Sequence, residues 1–401
     1  MHPSVTLPHP DPFFPEETVI NVFQPSLGDE ELQAIAEVFA DNWLGHGPRT
    51  KKFEAEFAEH LGVEPEQVMF INSATAGLFL STELLGLGPG DDVVLPSVSF
   101  VAAGNAVAAT GARPVFCDVD ERTLNPTAAD IERALTPRTK AVLVLHYGGY
   151  PGDIAAIAAL CEERGIPLVE DAACAVASTA DGTACGAFGD ISMWSFDSMK
   201  VLVTGDGGML YVKDRELARK ARQLAYHGLE QSSGFANARV SHRWWELNVR
   251  DFGRRVVGND ITAAIGSVQL RRLPEFVARR REIAETYDRL LADAAGVRLP
   301  PALPAGHTSS YYFYWVQLDP AVRDKVAADL LDQGVYTTLR YPPLHKVPAY
   351  QGDCGPLPGT DACAENTLLL PLHQALDDAE VHSVAAALRK SVELRSAPDR
   401  S

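Results

Sequence analysis

Between Val68 and Val212 the chain alternates short, β-prone apolar runs with stretches of helical composition, and this rhythm constrains the fold more than any other feature. The runs occupy residues 68–71, 93–95, 114–117, 141–145, 166–169, 191–196 and 209–212. Strands joined by helical connections of this length predict βαβ units: an α/β fold with a mainly parallel, seven-stranded sheet between helices, buried on both faces. Ligands of such sheets sit beyond the carboxyl ends of the strands. Chemistry is therefore to be sought directly after each run.

Outside this region the pattern predicts an N-terminal arm over 1–27, rich in Pro and Phe, a large domain over 28–270, and a smaller α+β domain over 271–401. Helices are expected over 29–39, 50–61, 261–270, 275–291, 321–333 and 378–389, and a strand over 311–316. Residues 231–250, with Trp244-Trp245, read as a long polar loop, and the proline-rich 342–343 and 356–358 as shorter loops. Arg279-Arg280-Arg281 reads as the solvated face of a helix.

Composition excludes several classes. Hydrophobic residues make up 46% and charged residues 22%, an ordinary globular mix. No apolar run reaches the roughly 18 residues of a membrane span, and Met1-His2-Pro3-Ser4 lacks the start of a secretory signal. A cytoplasmic protein without a membrane partner is expected. The six cysteines show no C-x-x-C pair and no spacing suited to a metal. A net charge of -18 argues against nucleic acid as a partner. Any phosphate ligand would need a local positive pocket, built from helix N-termini and a few Lys or Arg.

Three stations carry candidate chemistry. Asn72-Ser73-Ala74-Thr75-Ala76-Gly77 follows a strand and opens a helix, where small residues and free N–H groups favour an anion; a plain helix cap is the simpler alternative. Glu170-Asp171 ends another run, where a carboxylate could keep a heterocyclic nitrogen protonated, or merely cap a following helix. Lys200 follows the apolar run 191–196 and precedes the Gly205-Asp206-Gly207-Gly208 turn. That setting suits a partly desolvated amine able to attack a carbonyl. It lies 29 residues after Asp171, room for one intervening element of the same sheet.

In this order the three stations resemble the fold-type-I pyridoxal-phosphate (PLP) enzymes, and specifically the DegT/StrS family of sugar aminotransferases. The resemblance extends over Pro96-Ser97-Val98-Ser99-Phe100, Pro114-Val115-Phe116-Cys117-Asp118, His146-Tyr147-Gly148-Gly149-Tyr150-Pro151, Glu170-Asp171-Ala172-Ala173 and Ile261-Thr262-Ala263-Ala264-Ile265-Gly266. It implies Lys200 as covalent anchor of the cofactor and as general base and acid, and Asp171 as partner of the pyridinium nitrogen. Phe100 is implied to stack on the ring, and Ala74, Thr75 and Ser195 to hold the phosphate. Arg255 is implied to reach the phosphate in a partner subunit, so that a homodimer shares its active sites; Arg254 is the competing candidate. Cys174 stands where many relatives carry His or Gln, and no catalytic role is assigned to it.

Relatives that dehydrate sugars carry His in place of the anchoring lysine, so Lys200 implies amination. The resemblance further implies L-glutamate as donor and a nucleotide-linked keto-deoxysugar as acceptor, in the form of a dTDP-linked 4-keto-6-deoxyhexose. His46, Tyr147, His227, Arg340 and Tyr341 are the candidates to contact it. A cyclitol- or aminobenzoate-forming PLP enzyme of the same fold and a non-catalytic regulator are the alternatives.

Overall fold

The structure, a computed structural model, describes residues 19–229, 243, 245–350 and 354–396. All seven apolar runs become strands of one sheet: β1 (Val68–Ile71), β2 (Asp92–Pro96), β3 (Arg113–Cys117), β4 (Thr139–Leu145), β5 (Leu168–Asp171), β8 (Ile191–Ser195) and β9 (Gly208–Val212). Two short strands, β6 (Thr179–Ala180) and β7 (Thr183–Ala184), form a separate hairpin. The sheet order is β1-β9-β8-β5-β4-β2-β3, and β9 alone runs against its neighbours.

Two-sided burial explains why these runs are continuously apolar. Successive side chains of β1 enter opposite layers: Val68 and Phe70 join one core with Phe53, Phe57 and Trp194, while Met69 and Ile71 join another with Leu78, Leu95 and Met193. Helices α1 (Asp29–Ala40) and α2 (Pro48–Leu61) precede the sheet, and α3 (Ala74–Leu84), α4 (Val101–Ala108), α5 (Ala128–Ala134), α6 (Ile154–Arg164) and α7 (Arg215–Ala225) connect its strands or follow them.

Helix α8 (Asp260–Leu291) departs from expectation. The pattern predicts two helices separated near Pro274, yet a single 32-residue helix runs through that proline. Proline removes one helical hydrogen bond, but Leu273 and Phe276 on either side of it are buried in the same core, and the helix continues through the defect. The expected domain boundary at 270 falls inside this helix. Its far half, with Ile283, Tyr287 and Leu291, packs in a separate core against the antiparallel pair β10 (Tyr314–Gln317) and β11 (Thr367–Leu370), α9 (Pro320–Asp332) and α11 (Asp378–Ser396).

Two further expectations are corrected here. Pro358 opens helix α10 (Pro358–Asn366), at the first helical position, where its missing N–H costs nothing. Arg280 is not solvated: it is fully buried, donating from Nη1 to the Tyr311 and Leu372 carbonyls at 3.1 and 2.9 Å and from Nε to Gln374 at 2.9 Å. Trp244, most of the 231–250 loop and residues 1–18 of the arm lie outside the described residues. The described end of the arm lies on the second unit: Ile20 bridges Val335, and Leu372 donates to the Val22 carbonyl. Among the described residues, no helix is long and apolar enough to cross a membrane.

Candidate active site

The carboxyl ends of β1, β5 and β8 open on one cavity of about 270 Å³. After β1 the chain turns at Ser73, whose hydroxyl accepts from the Ala76 N–H at 3.1 Å and caps α3. The cap reading is met, and the same turn also lines the cavity through Ser73, Ala74 and Thr75. Strand β9 passes directly beneath it. A Cβ on Gly208 would stand 2.6 Å from the Ala74 nitrogen and 2.7 Å from the Trp194 carbonyl, so only glycine permits this approach. The first turn of α3 thus presents free N–H groups over a cradle that a side chain would fill.

Strand β5 ends on a carboxylate pair that splits by face. Asp171 lines the cavity, and its Oδ1 accepts from the Ala173 N–H at 3.1 Å in a turn; no helix follows for it to cap. Burial raises its pKa, opposed by that N–H, by Lys200 and by His146. Glu170 points the other way, accepting from His146 Nε2 at 2.8 Å and from the N–H groups of Gly186 and Gly189.

Lys200 sits in the β8–β9 connection, which is stitched shut by bonds from Phe196 N to the Gly207 carbonyl (2.9 Å) and from Thr204 N to the Phe196 carbonyl (2.8 Å). Buried Val201, Leu202 and Val203 root it in the core. The Lys200 Nζ lies 4.0 Å from Cys174 Sγ and 4.5 Å from the centre of the Tyr312 ring. Burial disfavours its ammonium, but Cys174, Tyr312 and Asp171 outweigh burial and raise its pKa above the ordinary value. Burial therefore acts in the direction the sequence suggests, against the attraction of the surrounding groups. A cofactor ring paired with Asp171 would draw that carboxylate away from Lys200 and ease the loss of the proton.

Of the sequence candidates, Ala74, Thr75, Phe100, Asp171, Ser195, Lys200, Arg340 and Tyr341 line this one cavity. Phe100 presents its ring 5.5 Å from that of Tyr341. Arg340 lies with its guanidinium 5.0 Å over the Phe23 ring. Five candidates lie elsewhere. Tyr147 is fully buried and gives its hydroxyl proton to the Arg340 carbonyl, so it supports the wall from behind and does not line it. His46 faces Glu54 at 3.9 Å and His227 is exposed, with its N–H on the Arg254 carbonyl. Arg254 is paired with Glu83 of its own chain, whereas the exposed Arg255 stacks its guanidinium 5.5 Å from the Tyr226 ring. Sequence reasoning missed Tyr312 and Met199, which also line the cavity. Tyr312 lies within a run read only as strand, where one more aromatic residue carries no signal.

An amine for an aldehyde, a buried carboxylate for a protonated ring nitrogen, an aromatic wall and a helix N-terminus for phosphate fit pyridoxal phosphate as a set. Comparison with known proteins agrees. The DegT/DnrJ/EryC1/StrS aminotransferase family profile matches residues 25–389. The dTDP-4-dehydro-2,3,6-trideoxy-D-glucose 4-aminotransferase of Saccharopolyspora spinosa is 66% identical over 375 residues, 94% of this chain and 97% of that protein. The crystal structure of the aminotransferase TlmJ from Streptoalloteichus hindustanus superposes with a TM-score of 0.90 at 64% identity, over 94% of this chain and 99% of that one. DesV of S. venezuelae, solved in complex with a ketimine intermediate, follows at 0.81 and 32%, over 92% and 95%.

Proposed function

The chain belongs to the DegT/DnrJ/EryC1/StrS aminotransferase family, and from that premise we propose that it transfers an amino group from L-glutamate to C4 of a dTDP-linked 4-keto-2,3,6-trideoxyhexose. It is a PLP-dependent sugar aminotransferase. The substrate follows the Saccharopolyspora relative's name. The observation that carries the residue assignment is the meeting of Lys200, Asp171 and the first turn of α3 in one cavity.

Pyridoxal phosphate, when bound, supplies a carbonyl that carries the amino group and a ring that draws electrons from the carbon losing its proton. Lys200 anchors it and, once released, moves the proton between that carbon and the cofactor. Asp171, ionised, holds the ring nitrogen protonated. Thr75, Ser195 and the N–H groups of Ala74 and its neighbours bind the phosphate, and Phe100 covers the ring. Tyr341 and Arg340 form the mouth toward the sugar nucleotide, with the guanidinium matched to a diphosphate. Two copies complete the site: Arg255 is exposed and outside its own cavity, and Trp43, Leu44, Leu247 and Phe252 stand exposed on the same chain. His46 and His227 then belong with the partner's cavity.

The test is a substrate panel. Holoprotein reduced to its amino form by L-glutamate is offered dTDP-, UDP- and GDP-keto sugars, with and without 2- and 3-hydroxyls, and inososes. The dTDP-4-keto-trideoxy sugar should restore the starting spectrum fastest and yield the 4-amino sugar. Preference for an inosose overturns the substrate, and no response to glutamate overturns catalysis.

A further inference from the structure

Between Lys200 and Arg340 the cavity is walled by Met199. Met199 precedes Lys200 in the chain, and its Sδ accepts from Arg340 Nη2 at 3.5 Å. Its N–H donates to Asp197 Oδ1 at 3.0 Å, which fixes the turn that carries the methionine. Among the described residues that line the cavity, the large apolar side chains left exposed are Met199, at 38%, and Phe100, at 44%. Phe100 covers the cofactor ring in the reading above. Met199 is then the open apolar surface left for the acceptor.

The neighbours of Arg340 show where that acceptor lies. Its guanidinium meets two soft groups, the Phe23 ring at 5.0 Å and the Met199 sulphur. Neither carries the negative charge that would neutralise it, so the cation stays available to a diphosphate. An acceptor with its diphosphate on Arg340 and its keto carbon at Lys200 must cross Met199. In a six-membered sugar ring C1, which bears the diphosphate, lies opposite C4. One of the two edges between them, C2–C3 or C5–O5, therefore faces the thioether. The C5–O5 edge carries the ring oxygen, an acceptor that methionine has no donor to meet. In a 2,3-dideoxy ring the C2–C3 edge is two methylenes.

Resting on the acceptor proposed above, we propose that Met199 is a specificity-determining residue: its thioether chain is the apolar wall for the C2–C3 edge of the sugar, and selects rings without hydroxyls there. Methylenes against this wall leave water without losing a hydrogen bond. Hydroxyls in the same place are stripped of water and find no partner.

The test reads binding and not turnover. Protein loaded with pyridoxamine phosphate cannot react with an amino sugar, so calorimetric titration gives an equilibrium Kd for each of two dTDP-4-amino-6-deoxy sugars. One has methylenes at C2 and C3, the other hydroxyls. The parent should prefer the first by about 100-fold. Met199→Gln has a chain of similar length but offers an amide to the hydroxyls, and should cut that preference by about tenfold. Met199→Leu stays apolar and lacks only the sulphur, and should keep the preference within about threefold. Both constants come from one sample, so any inactive protein cancels from their ratio. A preference unchanged in Met199→Gln overturns the proposal, because the wall then lies elsewhere. An equal fall in Met199→Leu also overturns it, because the hold of the sulphur on Arg340 is then what counts. If the parent itself binds the hydroxylated sugar as tightly, the trideoxy acceptor is overturned and the proposal falls with it.

Discussion

Glu170 offers the sharpest test of how the site is supported from behind. Its two oxygens receive three donors: Oε2 takes His146 Nε2 at 2.8 Å and Gly186 N at 2.7 Å, and Oε1 takes Gly189 N at 2.5 Å. Both side chains are buried, at 0% exposure for Glu170 and 2% for His146. Glu170→Gln has the same shape but only one accepting oxygen. Whichever way the amide lies, its NH₂ confronts a donor, and the negative charge facing the imidazole is gone. One charge-assisted bond is lost and one buried donor is stranded, which costs about 3 kcal/mol. Burial alone would lower the pKa of His146; Cys185 and Glu170 outweigh burial and hold it well above the ordinary value.

A raised folded pKa contributes stability that is fully present below the unfolded value of about 6.5 and is lost as pH rises through the folded value. The gap between parent and Glu170→Gln should therefore be widest in mild acid and narrow in alkali. Equilibrium urea unfolding of the cofactor-loaded proteins across that range measures it. A gap below about 0.5 kcal/mol in mild acid, or one that widens with pH, would refute the reasoning.

Three other outcomes are expected. Gly208→Ala must displace backbone on both sides of β9, since its Cβ meets the Ala74 nitrogen and the Trp194 carbonyl; a loss of about 3 kcal/mol in urea unfolding, with weaker cofactor retention in spectroscopic titration, is the expected result. Arg255→Ala should weaken cofactor binding by about tenfold, the value of one charge-assisted contact. Arg254→Ala, which breaks only the partly exposed pair with Glu83, should leave binding unchanged. Lys200→Ala should abolish turnover and borohydride fixation of the cofactor while leaving the unfolding transition in place.

The sequence was most legible where burial is two-sided. A strand covered on both faces must be apolar throughout, and all seven such runs became strands. Site residues at or just beyond the ends of those strands were legible for the same reason: Ala74, Asp171, Ser195 and Lys200 sit where an α/β sheet exposes its carboxyl edge. Tyr312 comes instead from the second unit, before a strand, and meets Lys200 only through the tertiary fold. Arg280 was hidden by its neighbours. Three consecutive arginines suggest a solvated face, but the middle one turns inward, where its Nη1 donates to the carbonyls of Tyr311 and Leu372. Helical periodicity says that three adjacent residues cannot share a face, and that rule carried more information than the charge run. Pro358 reads in the sequence as part of a loop, although proline begins helices as readily as it ends them.

One topological irregularity does much to explain the site. Parallel strands need a crossover of a dozen or more residues, usually a helix, before the chain returns to the sheet. Had β9 been parallel to β8, that crossover would have carried Lys200 off across a face of the sheet. Because β9 runs antiparallel between β1 and β8, the connection from Ser195 to Gly208 turns back at the same edge from which β1 and β8 emerge. The lysine is thus held over the carboxyl ends by a loop that closes on itself through the Phe196–Gly207 and Thr204–Phe196 bonds. The same reversal brings the amino end of β9 under the first turn of α3, where Gly208 leaves the room that the anion cradle needs. Anchor and cradle are in this sense two consequences of one reversed strand.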